Sequence, residues 1–144
     1  MKFRYEVSGE DMSLAGKASG EVKRALGRLG VNPAAIKRTA VCMYEAEMNM
    51  AIHGGGGVAE AELSPDRIVV TMRDSGPGIP DLELAMQEGY STAPEWIREM
   101  GFGAGMGLPN MKRNSDELRI DSAPGSGTTV TIMVRFDPNE GPGA

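Results

Sequence analysis

The sequence predicts a two-layer α/β sandwich, a mixed and mainly antiparallel sheet covered by helices on one face. Three observations carry that expectation. Apolar residues alternate in five short runs, at 2–8, 58–64, 67–73, 117–122 and 128–136. Two longer stretches, from Asp11 to about Leu29 and from Pro33 to His53, repeat their apolar residues every three or four positions. The resulting order, β-α-α-β-β-α-β-β, lacks any strand–glycine loop–helix unit of the dinucleotide-binding kind and any GxxxxGK[ST] phosphate loop. Helices segregated onto one side of the sheet are then the expected packing.

Each element has its own reason. Phe3, Tyr5 and Val7 share one face of the first strand. Leu14, Ala18, Val22, Ala25, Leu26 and Leu29 form the stripe of the first helix, which Gly30 ends. Asn32–Pro33 is a cap followed by proline at the first helical position, and Gly54–Gly57 stop the second helix. Ser64–Pro65–Asp66 joins the next two strands as a hairpin. Residues 74–81 read as a Gly/Pro loop, 82–88 as a short helix and 89–105 as an irregular, glycine-punctuated segment. A third helix is expected from near Gly107 to about Ser115. Pro124–Gly125–Ser126–Gly127 then joins the last two strands. The chain reads as a single domain over 1–136 with a frayed tail at 137–144, and it contains no repeats.

Composition narrows the function. A formal charge of −5 over 144 residues leaves no basic footprint for direct nucleic-acid binding. No apolar run approaches membrane-spanning length, and the alternating N-terminus is unlike a signal peptide. Cys42 stands alone, which excludes an internal disulfide and fits a reducing compartment, so a cytoplasmic protein is expected. Glycine supplies 20 residues, well above the usual share of about 7%. Their clustering points to loops that approach a ligand closely.

Three constellations stand out. On the second helix, Glu45, Asn49 and His53 lie four apart along one stripe among Val41, Met48, Met50, Ala51 and Ile52. A carboxylate and an amide in such surroundings are costly without partners. Read as a site, Asn49 offers an oxygen to Mg²⁺ and Glu45 orients or deprotonates an attacking hydroxyl; read as structure, the stripe is a solvated helix face. His53, at the helix end, can simply complement the helix dipole. Glu47 points to the opposite side and is expected in solvent.

The second constellation is Asp74-Ser-Gly76-Pro-Gly78-Ile79, where a strand leaves the sheet. A carboxylate there can accept from the exocyclic amine of adenine, Gly76 and Gly78 let the backbone pass close to a ring, and Ile79 can pack on it. The same residues also suit a double turn capped by Asp74. In the third, Gly101-Phe-Gly103-Ala-Gly105-Met106-Gly107 runs into a helix, whose free N–H groups make an anion site; a flexible linker would look similar. Lys112 and Arg113 lie a turn or more inside that helix. Gly125-Ser-Gly127-Thr128 closes the set, with a hydroxyl at the start of a strand beside Asp74.

In order, E-x₃-N-x₃-H-G, D-S-G-P-G-I, G-x-G-x-G-x-G and G-x-G-T resemble the four boxes of the Bergerat-fold ATPases, over residues 33 to 136. Glu88-Gly-Tyr-Ser-Thr92, and Met106-Gly-Leu-Pro-Asn-Met-Lys112 with Asp116-Glu117, are similar to the anti-sigma factor and switch-kinase branch. A histidine kinase would need a phospho-accepting helix pair before the first strand, and a gyrase-like or chaperone member a further transducer domain, so the anti-sigma and switch-kinase branch is the one expected. The resemblance implies that Asn49 ligates Mg²⁺, Glu45 is the catalytic base and Asp74 reads adenine beside Gly76 and Gly78. It further implies that Gly103, Gly105, Met106 and Gly107 bind phosphate through their backbone and that Thr128 supports the adenine site.

The function implied is an ATP- and Mg²⁺-dependent serine/threonine protein kinase of the anti-sigma type. Its partner would be a small regulatory protein, an anti-sigma-factor antagonist or a sigma factor. One rival is a nucleotide-gated partner switch without phosphotransfer. Another is a histidine-kinase-like subunit acting in trans. The resemblance leaves room for a homodimer through the first strand and helix.

Overall fold

A computed structural model describes residues 1–8, 16–53, 55–74, 76, 107–122, 125 and 127–136. Within them the elements run β1 (Lys2–Ser8), α1 (Lys17–Arg28), α2 (Pro33–His53), β2 (Gly56–Leu63), β3 (Arg67–Asp74), α3 (Gly107–Asn114), β4 (Glu117–Ser122) and β5 (Thr128–Arg135). The sheet order is β1-β2-β3-β5-β4, and every pairing is antiparallel. The architecture expected from the sequence is therefore present, with no parallel pair among the described strands.

Alternation decides which face of the sheet is covered. On β3, Ile68, Val70 and Met72 are buried while Arg67 and Arg73 are exposed. Arg73 pairs with Glu60 of the neighbouring strand on that outer face, at 2.7 Å. The inward residues meet Val22 and Leu26 of α1, Cys42, Met43, Ala46 and Met50 of α2, and Met111 of α3 in one core. Burying a side chain such as Leu26 or Ile132 contributes about 1.5–3 kcal/mol each, and both are fully enclosed. Helix α2 packs on α1 and on α3, and it crosses β1, β2, β3 and β5. It is the spine of the helical layer.

Asn32 caps α2 by accepting from the Ala34 amide at 2.8 Å. The start of α1 is different. No side chain of its own caps it. Instead Glu47, from the middle of α2, accepts from the backbone N–H groups of Gly16 (2.9 Å), Ala18 (3.1 Å) and Ser19 (3.0 Å). This overturns the solvated position expected of Glu47, whose exposure is 1%. The physical reason is that the side of α2 opposite the Glu45 stripe faces the N-terminus of α1, where orphan N–H groups and the helix dipole favour an anion.

Strand β2 also begins earlier than expected, at Gly56 rather than residue 58. Gly57 pairs with Asp74, and a Cβ on it would collide with the Arg73 carbonyl and lie 2.7 Å from the Met50 methyl. Glycine here permits a close approach as well as stopping a helix. The expected start of the first helix near Asp11, the short helix at 82–88 and the tail at 137–144 lie outside the described residues.

Candidate functional site

Helix α2 carries the first pair. Glu45 and Asn49 are both half-buried, one turn apart, on the side of α2 that α3 approaches. Asn110 of α3 donates its side-chain amide to Glu45 Oε1 at 3.3 Å. The Arg113 guanidinium in turn donates to Asn110 Oδ1 at 2.6 Å. The Asn49 side chain has no hydrogen-bond partner among the described residues, so its carbonyl oxygen can serve as a ligand.

Burial and side-chain contacts hold α3 in this position. Met111 is fully buried beneath it, and the Cys42 thiol donates to the Met111 carbonyl at 3.5 Å. Burial, ahead of smaller charge effects, pushes that thiol up to about 12, so it stays protonated and keeps its proton to donate. Arg38 donates through Nε to the Asn114 carbonyl at 3.1 Å and pairs with Asp116 at 3.1 Å. Asp116 also accepts from the Arg135 amide on β5. The C-terminal end of α3 is thereby tied to α2 and to the sheet.

Asp74 sits at the end of β3, flanked by Gly57 of β2 and by the start of β5. Its Oδ1 accepts from the backbone N–H of Gly76 at 2.9 Å and of Thr128 at 3.2 Å. Among the described residues nothing donates to Oδ2. The first bond is the local turn that Asp-x-Gly predicts; the second locks Asp74 to the neighbouring strand. The Thr128 hydroxyl shares a hydrogen bond with Ser122 at 2.9 Å, and Ser122 also donates to the Gly127 carbonyl at 3.3 Å. Gly57, Asp74, Thr128 and Ser122 thus form a row across four strands at one end of the sheet.

The C-terminal half of α2 leads to this row, because Met50, adjacent to Asn49, lies over Gly57 opposite Asp74. Gly76 is described and adjoins Asp74, and Gly107 begins α3. Gly78, Ile79, Gly103, Gly105, Met106 and the side chain of His53 lie outside the described residues. Two site residues escaped sequence reasoning. Ser122 gave no motif, and only the pairing of β4 with β5 puts it beside Thr128. Asn110 sits inside a recognised motif, but its contact with Glu45 spans 65 positions. Arg113 lies on the surface and reaches Asn110.

The described residues contain no group of three or more His, Cys, Asp or Glu able to hold a metal alone. Mg²⁺ keeps most of its shell as water and phosphate oxygens and takes one or two oxygens from protein. The Asn49 amide, without a hydrogen-bond partner among the described residues, fits such a donor set.

Comparison with known proteins identifies the family of the fold. Residues 36–138 match the family described as histidine kinase-, DNA gyrase B- and HSP90-like ATPases. One relative is the anti-sigma F factor of Pasteuria penetrans, 38% identical over 99 residues, covering 64% of this chain and 63% of that protein. Another is the serine/threonine-protein kinase RsbT of Bacillus subtilis, 33% identical over 119 residues, covering 76% of this chain and 84% of that protein. The chain therefore spans less than two thirds of the first of these and most of the second. A solved SiaB–SiaC complex from Pseudomonas aeruginosa shares the fold, with a TM-score of 0.62 at 13% identity, over 91% of this chain and 88% of that one. No helix of the described residues is long and apolar enough to cross a membrane. The matched span exceeds half of the sequence, and the chain belongs to the histidine kinase-, DNA gyrase B- and HSP90-like ATPase family.

Proposed function

We propose that the chain is an ATP-dependent serine/threonine protein kinase of the anti-sigma type, acting on a small antagonist-like regulatory protein. The observation that carries this reading is Glu45. It is a half-buried carboxylate one turn before Asn49, and only one side-chain amide among the described residues is bonded to it. A protein that only binds nucleotide has no need of a carboxylate so placed. The similarity to a serine/threonine-protein kinase from Bacillus subtilis and to anti-sigma F factors supports the choice of acceptor and partner.

The chemistry follows from the positions. Asp74, with Oδ1 occupied by two backbone N–H groups, keeps Oδ2 to accept from the adenine amine. Guanine would present a carbonyl there, an acceptor facing an acceptor. The hydroxyls of Thr128 and Ser122 support that end of the site. Asn49 supplies an oxygen to the Mg²⁺ that accompanies the triphosphate. Gly107 opens α3, where the backbone N–H groups of a helix start suit phosphate, and Gly103, Gly105 and Met106 would serve with it. Gly78 and Ile79 would line the adenine face.

In the transfer itself, a partner hydroxyl oxygen bonds to the γ-phosphorus while the bond to the β–γ bridging oxygen breaks. ADP leaves with that electron pair, and Glu45 takes the hydroxyl proton. Positioning and charge neutralisation supply most of the rate. Incubation with γ-labelled ATP and proteins that co-purify with the chain tests this. Acid-stable label on serine or threonine is expected. Acid-labile label would mean a histidine acceptor, and ATP-dependent binding without any label would mean a partner switch that transfers nothing.

A further inference from the structure

We infer that Asn110 is a positioning residue for the Glu45 carboxylate, and that Arg113 sets which way its amide faces. The inference rests on Glu45 acting as the base. A guanidinium can only donate hydrogen bonds, so the Asn110 atom 2.6 Å from Arg113 must be the amide oxygen. The amide nitrogen then faces Glu45, and Oε1 is the oxygen that accepts. An orientation that is usually ambiguous for asparagine is fixed here by the chemistry of its neighbour. With Oε1 engaged, Oε2 is the oxygen left to take the proton.

The support beneath Asn110 is rigid enough for this work. Asn114 donates its side-chain amide to the Asn110 carbonyl at 2.9 Å, and Met111 next to it is fully buried. Arg38 and the Cys42 thiol fasten the same helix to α2 through the Asn114 and Met111 carbonyls. Two points of one helix therefore hold α3 in register with the helix that carries Glu45. The 3.3 Å contact is long for a donor facing a carboxylate. Catalytic hydrogen bonds are commonly long before substrate is bound and tighten in the reacting complex. A contact of this kind acts on orientation, and misplacing a catalytic group lowers turnover without weakening ligand binding.

The test compares Asn110→Ala, Glu45→Ala and the double variant in transfer of label from Mg²⁺-ATP to the partner, or in release of labelled phosphate where no partner is supplied. Asn110→Ala should turn over about tenfold more slowly, with the KM for ATP within about twofold of the parent. In the Glu45→Ala background the same change should cost nothing further, since the group it positions is gone. Asn110→Asp keeps an oxygen for Arg113 but sets a carboxylate against Glu45, and should be as slow as the alanine variant. Arg113→Met frees the amide to rotate and should slow turnover by roughly threefold. The side-chain amide resonance of Asn110, followed by nitrogen-15 NMR, should move in Glu45→Ala; an unmoved resonance overturns the contact whether or not turnover is measurable. Parental turnover by Asn110→Ala beside a slow Glu45→Ala would overturn the positioning role alone. Parental turnover by Glu45→Ala would overturn the base and the positioning role together. Slowing of the double variant by the full product of the two single effects would show that Asn110 acts elsewhere.

Discussion

Glu45 and Glu47 stand two residues apart on the same helix and live in opposite environments. Glu47 is almost completely enclosed, and its two oxygens accept three backbone N–H bonds at the start of α1. Glu45 is half-buried and, among the described residues, receives a single long contact from one side-chain amide. Position on the helix separates them, since two residues turn about 200° around the axis. A carboxylate with both oxygens engaged by backbone N–H groups has a fixed structural task. One that is partly sheltered and bonded to a single amide among the described residues is the carboxylate proposed as the base. Asp74 falls between the two, with one oxygen held by backbone and the other without a donor among the described residues.

The sharpest way to break this grading is to exchange the expected outcomes. Glu45→Ala should cut phosphotransfer by about 10²–10⁴-fold. It should leave Mg²⁺-ATP affinity at least as high, because removing a carboxylate near a triphosphate relieves repulsion. Measured turnover beside calorimetric titration checks both. If Glu45→Ala lowers the melting temperature instead, Glu45 is the structural carboxylate.

Glu47→Ala should do the reverse. It leaves three enclosed N–H groups at a helix start without an acceptor, and the loss should be about 3 kcal/mol of stability. For a domain of this size that corresponds to roughly 10 °C in melting temperature. Glu47→Gln should recover little, since its NH₂ group faces donors. Unfolding by heat and by urea provides the measurement, and a loss below about 1 kcal/mol would mean the N–H groups find other acceptors.

The same pair shows what the sequence could and could not reveal. Glu45 was legible because its motif includes Asn49 one turn on, within a single helix. Glu47 was not, since its partners lie 28 to 31 positions away and are backbone groups without sequence identity. The strands were legible from alternation, as Ile68, Val70 and Met72 illustrate. Their order was not, because nothing local specifies that β5 lies between β3 and β4. For that reason the motif sets Thr128 beside Asp74, while Ser122, brought alongside only by the β4–β5 register, has no local signal.

Asp74 supplies the intermediate prediction. Asp74→Asn keeps an oxygen for the Gly76 and Thr128 amides but replaces the open oxygen with a donor. The preference for ATP over GTP should fall about tenfold, from the loss of one hydrogen bond worth about 1–1.5 kcal/mol. The fold should hold. Competition of the two nucleotides for the protein reads this directly, and an unchanged ratio would remove Asp74 from adenine recognition.

The smallest effect is expected at Arg38, and it tests whether engagement by backbone or burial sets the scale. Arg38 resembles Glu47 in kind, a charged side chain of α2 that reaches the end of another helix. Its Nε donates to the Asn114 carbonyl, where the negative end of the α3 dipole favours a cation. It differs in exposure, since the Arg38 and Asp116 side chains retain 23% and 16% of theirs. Water therefore screens the pair and can replace Arg38 at the carbonyl. Arg38→Met keeps most of the apolar stem and removes the charge, and should cost about 1 kcal/mol. Part of that difference should vanish at 1 M salt, where charges at the surface are screened over about 3 Å. Urea midpoints at low and high salt measure it. A salt-insensitive loss as large as that of Glu47→Ala would mean that fastening the helix end matters more than enclosure, and the ranking of these charges by burial would fail.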